Sequence, residues 1–161
     1  MPPSTPDLCD RHPDLVRVVT GLPWQSYGGK SSFSGPVETV KCFEDNSRIK
    51  EVLATPGHGR VLVVDGGGSL RHALIGDMIA AGARDQGWAG IIIFGACRDV
   101  EVLAGIDFGV FALGCVPIKS VRRGEGQLGI PIQFGGVAFH SGDHVYADAN
   151  GVIVADRQLD K

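Results

Sequence analysis

The chain has 161 residues, 43% of them hydrophobic, which suits one folded domain with a real core and excludes a disordered chain. Its 15 Lys and Arg stand against 18 Asp and Glu, a net charge of −3 with no basic tract, so direct nucleic-acid binding through phosphate neutralisation is not expected. No apolar run approaches the ~20 residues that span a membrane, and the opening MPPSTPDLCDRHPD lacks a basic-then-apolar signal, so a cytoplasmic protein is expected.

In chain order, TPDLCDRHPDLVRVV (5–19) predicts a short helix interrupted at Pro13, and YGGKSSFSG (27–35) a loop. PVETVKCFED (36–45) reads as a strand, and NSRIKEVLATPG (46–57) as a short helix with Asn46 as N-cap and Pro-Gly at its end. RVLVVDGGGSL (60–70) is a buried strand running into a glycine loop. GDMIAAGARDQG (76–87) is a helix with Asp77 in its first turn, and WAGIIIFG (88–95) is the next strand. Strand, helix and strand make a βαβ unit with a parallel pair. RDVEVLAGIDFGVFALG adds a short helix and a strand. From Pro117 the chain turns to short strands split by GG, SGD and DANG turns. The expectation is an α/β fold, a βαβ core with a β-rich C-terminal part, in a single domain over residues 1–161. The 24 glycines have no fixed period and fit many tight turns.

Several local patterns carry a tempting chemistry and a plainer reading. VLVVDGGGSL could cradle a dinucleotide or a methyl donor, but Arg71 stands where the dinucleotide fingerprint needs Gly or Ala. A tight turn explains the glycines. His140 and His144 flank Asp143 at a metal-ligand spacing, but Ser141-Gly142-Asp143 makes a turn, so the imidazoles need not converge. His12, His58 and His72 read as surface or turn residues, and RRGEGQ (122–127) as a solvated loop. Cys9, Cys42, Cys97 and Cys115 are far apart with no CxxC pair, which suggests neither a zinc knuckle nor a redox dithiol. Cys97 reads as a buried core filler rather than a nucleophile.

One long-range pattern is more specific. Asp77 is followed by one helix and one strand, and then by Arg98-Asp99. A helix antiparallel to the strands starts where strands end, so the helix N-terminus should face the Arg-Asp pair. Exposed amides with an arginine form a clamp for a small carboxylate. Two aspartates nearby can hold a hard divalent ion, directly or through water. Asp99 alone also reads as a helix cap.

At these residues the sequence resembles the regulator of ribonuclease E activity A (RraA-like) family, whose enzymatic branch is the 4-hydroxy-4-methyl-2-oxoglutarate aldolases. The resemblance runs through YGGKSSFSGPVETVKCFEDN, through VLVVDGGGSLRHALIGDMIAAGARDQGWAGIIIFGACRDVEVLAGIDFGVFALG, and through FGGVAFHSGDHVYADANGVIV. It implies a swivelling β/β/α domain that assembles as a homotrimer or a dimer of trimers, with the site near a subunit boundary. The family's D-x20-R-D motif matches at Asp77, Arg98 and Asp99. By that resemblance Asp99 binds Mg²⁺ or Mn²⁺ directly and Asp77 acts through a metal-bound water. Arg98 holds the pyruvyl group of a 2-oxo acid, helped by the backbone of Gly76, Asp77, Met78 and Ile79.

Two functions follow as expectations. The first is a metal-dependent lyase that cleaves 4-hydroxy-4-methyl-2-oxoglutarate and related acids to pyruvate, and decarboxylates oxaloacetate, with Asp77 and Arg98 as its catalytic residues. The second is a non-catalytic protein regulator of ribonuclease E.

Overall fold

The computed structural model describes residues 3–160. Among them the chain forms α1 (Thr5–Arg11), β1 (Arg17–Val18), β2 (Gln25–Ser26), β3 (Phe33–Lys41), α2 (Ser47–Leu53) and β4 (Val61–Asp65). There follow β5 (Ala73–Ile75), α3 (Asp77–Asp85), β6 (Gly90–Cys97), α4 (Val100–Leu103) and β7 (Gly109–Cys115). The chain ends in β8 (Gln127–Leu128), β9 (Ile132–Phe134), β10 (Val137–Phe139), β11 (His144–Asp148) and β12 (Gly151–Ala155).

The long strand β3 joins two sheets. Its first half pairs antiparallel with β11, which continues through β12 to β1. Its second half pairs parallel with β4, and β4, β6 and β7 continue in parallel, closed by antiparallel β2. The β9–β10 hairpin stands apart as its own small sheet. Two apolar layers hold this together. Phe33, Val63, Ile92, Phe111, Phe134, Phe139 and Val154 fill the space between the antiparallel strands and one face of the parallel sheet. Leu62, Val64, Ile91, Ile93, Ala80, Ala83 and Leu53 fill the space between its other face and the helices. The layering is therefore sheet, sheet, helices, a mixed α/β fold with few helices.

Burial on both faces is why IIIF carries no alternation. Ile91, Ile92 and Ile93 are all fully buried, pointing in turn to the two layers. At roughly 25 cal/mol per Å² of apolar surface, each such side chain stabilises the fold by about 1.5–3 kcal/mol, and the sheet is held mainly by this.

The structure trims several expected elements. The expected helix over 5–19 ends at Arg11, and the chain then enters the two-residue β1. Pro13 has no N–H for an intrahelical bond, so the helix stops before it. β3 begins at Phe33, inside the expected loop, because Phe33 is drawn into the inter-sheet core. The glycine loop after β4 is a tight turn: Gly67 and Gly68 have φ of 68° and 73°, backbone that favours glycine. Among the described residues no helix is long and apolar enough to cross a membrane.

Candidate functional site

The site is built by three residues of strand that the sequence did not announce. β5 lies parallel to the end of β6, with Ala73 beside Ala96 and Ile75 beside Cys97. The Arg98 amide donates to the Ile75 carbonyl at 3.0 Å, so Gly76 at the end of β5 sits next to Arg98. α3 starts at Asp77, with Gly76 as its N-cap residue. The convergence of helix start and strand end therefore holds, and β5 is the element that enforces it.

Asp77, Arg98 and Asp99 meet here. The Asp77 amide donates to Asp99 Oδ2 at 3.1 Å, and Arg98 Nε lies 3.9 Å from the same oxygen. Arg98 Nη1 reaches the Pro117 carbonyl at 3.4 Å. A side chain at Gly76 would place its Cβ 2.5 Å from Asp99 Oδ2, so only glycine lets the carboxylate approach the helix start. Asp99 occupies the N-cap position of α4, but its side chain makes no cap bond there. Its backbone is left-handed (φ 60°, ψ 40°), which turns the carboxylate towards α3 instead. The cap reading of Asp99 is thus corrected.

The cavity at this point has a volume of about 110 Å³ and takes in Gly76, Asp77, Met78, Ile79, Arg98 and Asp99, all six residues expected at the site. The Asp77 N–H is engaged by Asp99, while the amides of Met78 and Ile79, in the first turn, have no intrahelical acceptor. The Met78 side chain itself points to solvent, 84% exposed.

Sequence reasoning missed the opposite wall. Asn46, Lys119, Ser120 and Arg122 also line the cavity. Asn46 was expected to cap α2, but its Nδ2 donates to the Leu74 carbonyl (3.1 Å) and its Oδ1 accepts from Arg122 Nε (2.9 Å). Capping falls to Asp45, whose Oδ1 accepts from the Ser47 amide and hydroxyl. The expected solvated loop is tied down as well. Asp45 Oδ2 accepts from the amides of Arg123 (2.7 Å) and Glu125 (3.2 Å). No local spacing signals these contacts, because they join segments far apart in sequence.

Other candidates fall away. His140 is exposed beside Asp143, whereas His144 is buried with its ring 4.9 Å from that of Tyr146. Asp143 is already held by Arg17 at 2.9 Å. Among the described residues no group of three or more His, Cys, Asp or Glu is placed to hold a metal. Cys97 is fully buried and does not line the cavity, and burial first of all pushes its thiol up to about 12, so it is no nucleophile towards a substrate bound there.

The sheet–sheet–helix fold thus sets an Arg-Asp pair against a helix start at the carboxyl ends of parallel strands. Known proteins share this architecture. The family described as RraA-like, Aldolase/RraA, matches residues 5–154, and the chain belongs to it. A protein of Alcanivorax borkumensis, provisionally named a 4-hydroxy-4-methyl-2-oxoglutarate aldolase, is 66% identical, with 96% of this chain and 97% of that one covered. One from Ectopseudomonas mendocina with the same provisional name is 55% identical over 96% of this chain and 95% of its own. Among solved structures, the RNA-processing inhibitor RraA from Thermus thermophilis superimposes with a TM-score of 0.94 at 38% identity, covering 99% of this chain and 96% of that one. A Geobacillus kaustophilus protein described as an S-adenosylmethionine: 2-dimethylmenaquinone methyltransferase superimposes at 0.95 with 48% identity, covering 98% and 97%.

Proposed function

We propose that the chain is a divalent-metal-dependent lyase of 2-oxo acids. It cleaves 4-hydroxy-4-methyl-2-oxoglutarate and related 4-hydroxy-2-oxo acids to pyruvate and a second oxo acid, and it decarboxylates oxaloacetate. The observation that carries this reading is the Arg98–Asp99 pair set against the start of α3 over the small cavity. The provisional aldolase names of the relatives support it.

The donor set fits Mg²⁺ or Mn²⁺. Asp99 and Asp77 offer hard carboxylate oxygens, and the small number of protein ligands suits an ion that keeps water and substrate oxygens. Asp99 would hold the ion directly and Asp77 through water. When bound, the ion supplies Lewis-acid polarisation of the substrate's keto group. The chain's own groups do the rest. The Arg98 guanidinium and the free amides of Met78 and Ile79 bind and orient the substrate carboxylate. A water beside Asp77 takes the proton of the 4-hydroxyl, the C3–C4 bond breaks, and its electrons pass to the pyruvate enolate. Arg98 balances the charge that develops there. Protonation at C3 completes pyruvate. Oxaloacetate loses CO₂ through the same enolate.

The test is pyruvate release from oxaloacetate and from the 4-hydroxy acid, with Mg²⁺ and with chelator. Release should need the metal and vanish in Asp99→Ala. Near-wild-type turnover of Asp99→Ala in excess Mg²⁺ would sink the reading.

A second role is favoured by the likeness to the Thermus RNA-processing inhibitor: binding and restraining ribonuclease E through the protein surface. It needs no metal, so Asp99→Ala should keep that binding while losing pyruvate release. Both readings place the protein in the cytoplasm, as a homotrimer or dimer of trimers of one-domain subunits.

A further inference from the structure

Far apart in sequence, Cys97 and Cys115 are brought side by side by strand register. They are direct partners at the carboxyl ends of parallel β6 and β7. Neighbouring strands lie about 4.8 Å apart, inside the ~4.4–6.8 Å Cα separation that a disulfide spans. Partnered residues of parallel strands project to the same face of the sheet. Tyr27 shows that face directly. It packs on the helix-side core that contains Cys97. Burial first, and then the Cys115 and Cys97 sulfurs beside it, push its hydroxyl up to about 12. The two thiols differ in access: Cys97 is fully buried and Cys115 is exposed. Cys42 is buried elsewhere in the core, and Cys9 packs on the α1 side of the antiparallel sheet.

We propose that Cys97 and Cys115 are a redox-active dithiol, a modification site that closes to a disulfide when a hydroperoxide reaches Cys115. The exposed Cys115 sulfur attacks the peroxide. An S–O bond forms, the O–O bond breaks, and the thiol proton leaves with the departing oxygen as water. The Cys97 sulfur then attacks the sulfenic sulfur of Cys115. The S–S bond forms, the S–O bond breaks, and the released hydroxide takes the Cys97 proton as a second water. Two thiols and one hydrogen peroxide give one disulfide and two waters, the thiols losing the two electrons that the peroxide gains. The exposed, attackable thiol and the protected resolving thiol are the division of labour that redox sensing uses.

The crosslink sits one residue before Arg98. The Arg98 amide is anchored on the β5 side, at the Ile75 carbonyl, while the Cys97 carbonyl accepts from Val116 on the β7 side. Drawing Cys97 towards β7 therefore pulls against the β5 anchor and loosens Arg98 from Gly76. This effect on the pocket rests on the function proposed above, but the covalent step does not.

The experiment treats the reduced full-length protein with hydrogen peroxide, alkylates the remaining thiols after unfolding, and maps peptides by mass spectrometry. The expected result is a linked peptide pair holding Cys97 and Cys115, reversed by dithiothreitol, with Cys42 still alkylated. Cys115→Ser, at an exposed position, should leave Cys97 reduced, and Cys97→Ser should stop at a sulfenic acid on Cys115 that dimedone traps. Cys97 found fully alkylated in peroxide-treated wild type would overturn the dithiol. Calorimetry with oxalate and Mg²⁺, before and after oxidation, reads the coupling separately. A tenfold or greater loss of affinity is expected, and unchanged affinity in the crosslinked protein overturns the coupling alone.

Discussion

Gly76 decides how closely Asp99 approaches the start of α3. A methyl group there would sit 2.5 Å from the carboxylate oxygen and 3.4 Å from Arg98 Nε, so the Asp99 side chain would have to swing away from the start of α3. Gly76→Ala should therefore keep the fold but displace Asp99, lowering pyruvate-forming kcat/KM at least about tenfold, or ~1.4 kcal/mol of barrier. A variant with wild-type kinetics would remove the carboxylate–helix contact from the mechanism. Arg98→Lys tests the opposite partner. Lysine keeps the charge but not the planar two-pronged donor, so turnover should fall by about 100-fold, the scale of losing one preorganised donor to developing charge. Asp77→Asn and Asp99→Ala separate the two aspartates. An amide can retain a bridging water but cannot accept a proton, so Asp77→Asn should weaken oxalate binding less than Asp99→Ala while still losing catalysis. Calorimetry on both variants checks the order, and the reverse order would exchange their roles.

At the scale of elements, the second wall of the pocket depends on Asp45. Burial alone would raise its pKa. Bonds from the Ser47 hydroxyl and amide and from the Arg123 and Glu125 amides together outweigh that and hold it at about 2, below its ordinary 3.8. A depressed carboxyl contributes stability that is present above its unfolded pKa and is lost as pH falls through the folded one. The 122–126 loop should thus loosen between about pH 4 and pH 2, and Asp45→Ala should cost about 1–3 kcal/mol at neutral pH in urea unfolding. A melt unchanged in Asp45→Ala would mean that the loop is not anchored there. This element also marks what the sequence could tell. The apolar block at Ile91–Ile93 was legible because burial of a strand on both faces writes itself into local composition, and α3 was legible from the acidic residue in its first turn and the glycine beyond its end. So was the meeting of the α3 start with the β6 end, since it follows from the handedness and direction of a βαβ unit. β5 was not legible: three residues between a glycine loop and Gly76 give no period to read. Nor were Asn46 and Arg122, whose 2.9 Å bond joins two loops that nothing local relates. The register pairing of Cys97 with Cys115 stayed hidden for the same reason.

For the whole molecule, composition alone points to sheet edges that need covering, but the structure moves that argument elsewhere. The edges of the main sheet are the two-residue strands β1 and β2, too short to template another chain. What remains for an assembly to cover is apolar side chains on the surface. Met78, next to Asp77, is 84% exposed, and Val102 of α4 and Ile118 beside Arg98's Pro117 contact are about half exposed. Met78 lines the pocket and Ile118 precedes the lining residue Lys119, so a neighbouring subunit seated on them would bury apolar surface and narrow the cavity at once. The proposed trimer is thereby tied to activity rather than to folding alone. Met78→Glu should leave the subunit fold intact, because the side chain has no buried contacts to lose, yet it would place a charge in an apolar contact. Light scattering at micromolar concentration should give a trimer, or twice that mass, for the wild type and a smaller species for Met78→Glu, with pyruvate release falling in parallel. A wild-type monomer with full activity would detach the pocket from any subunit boundary.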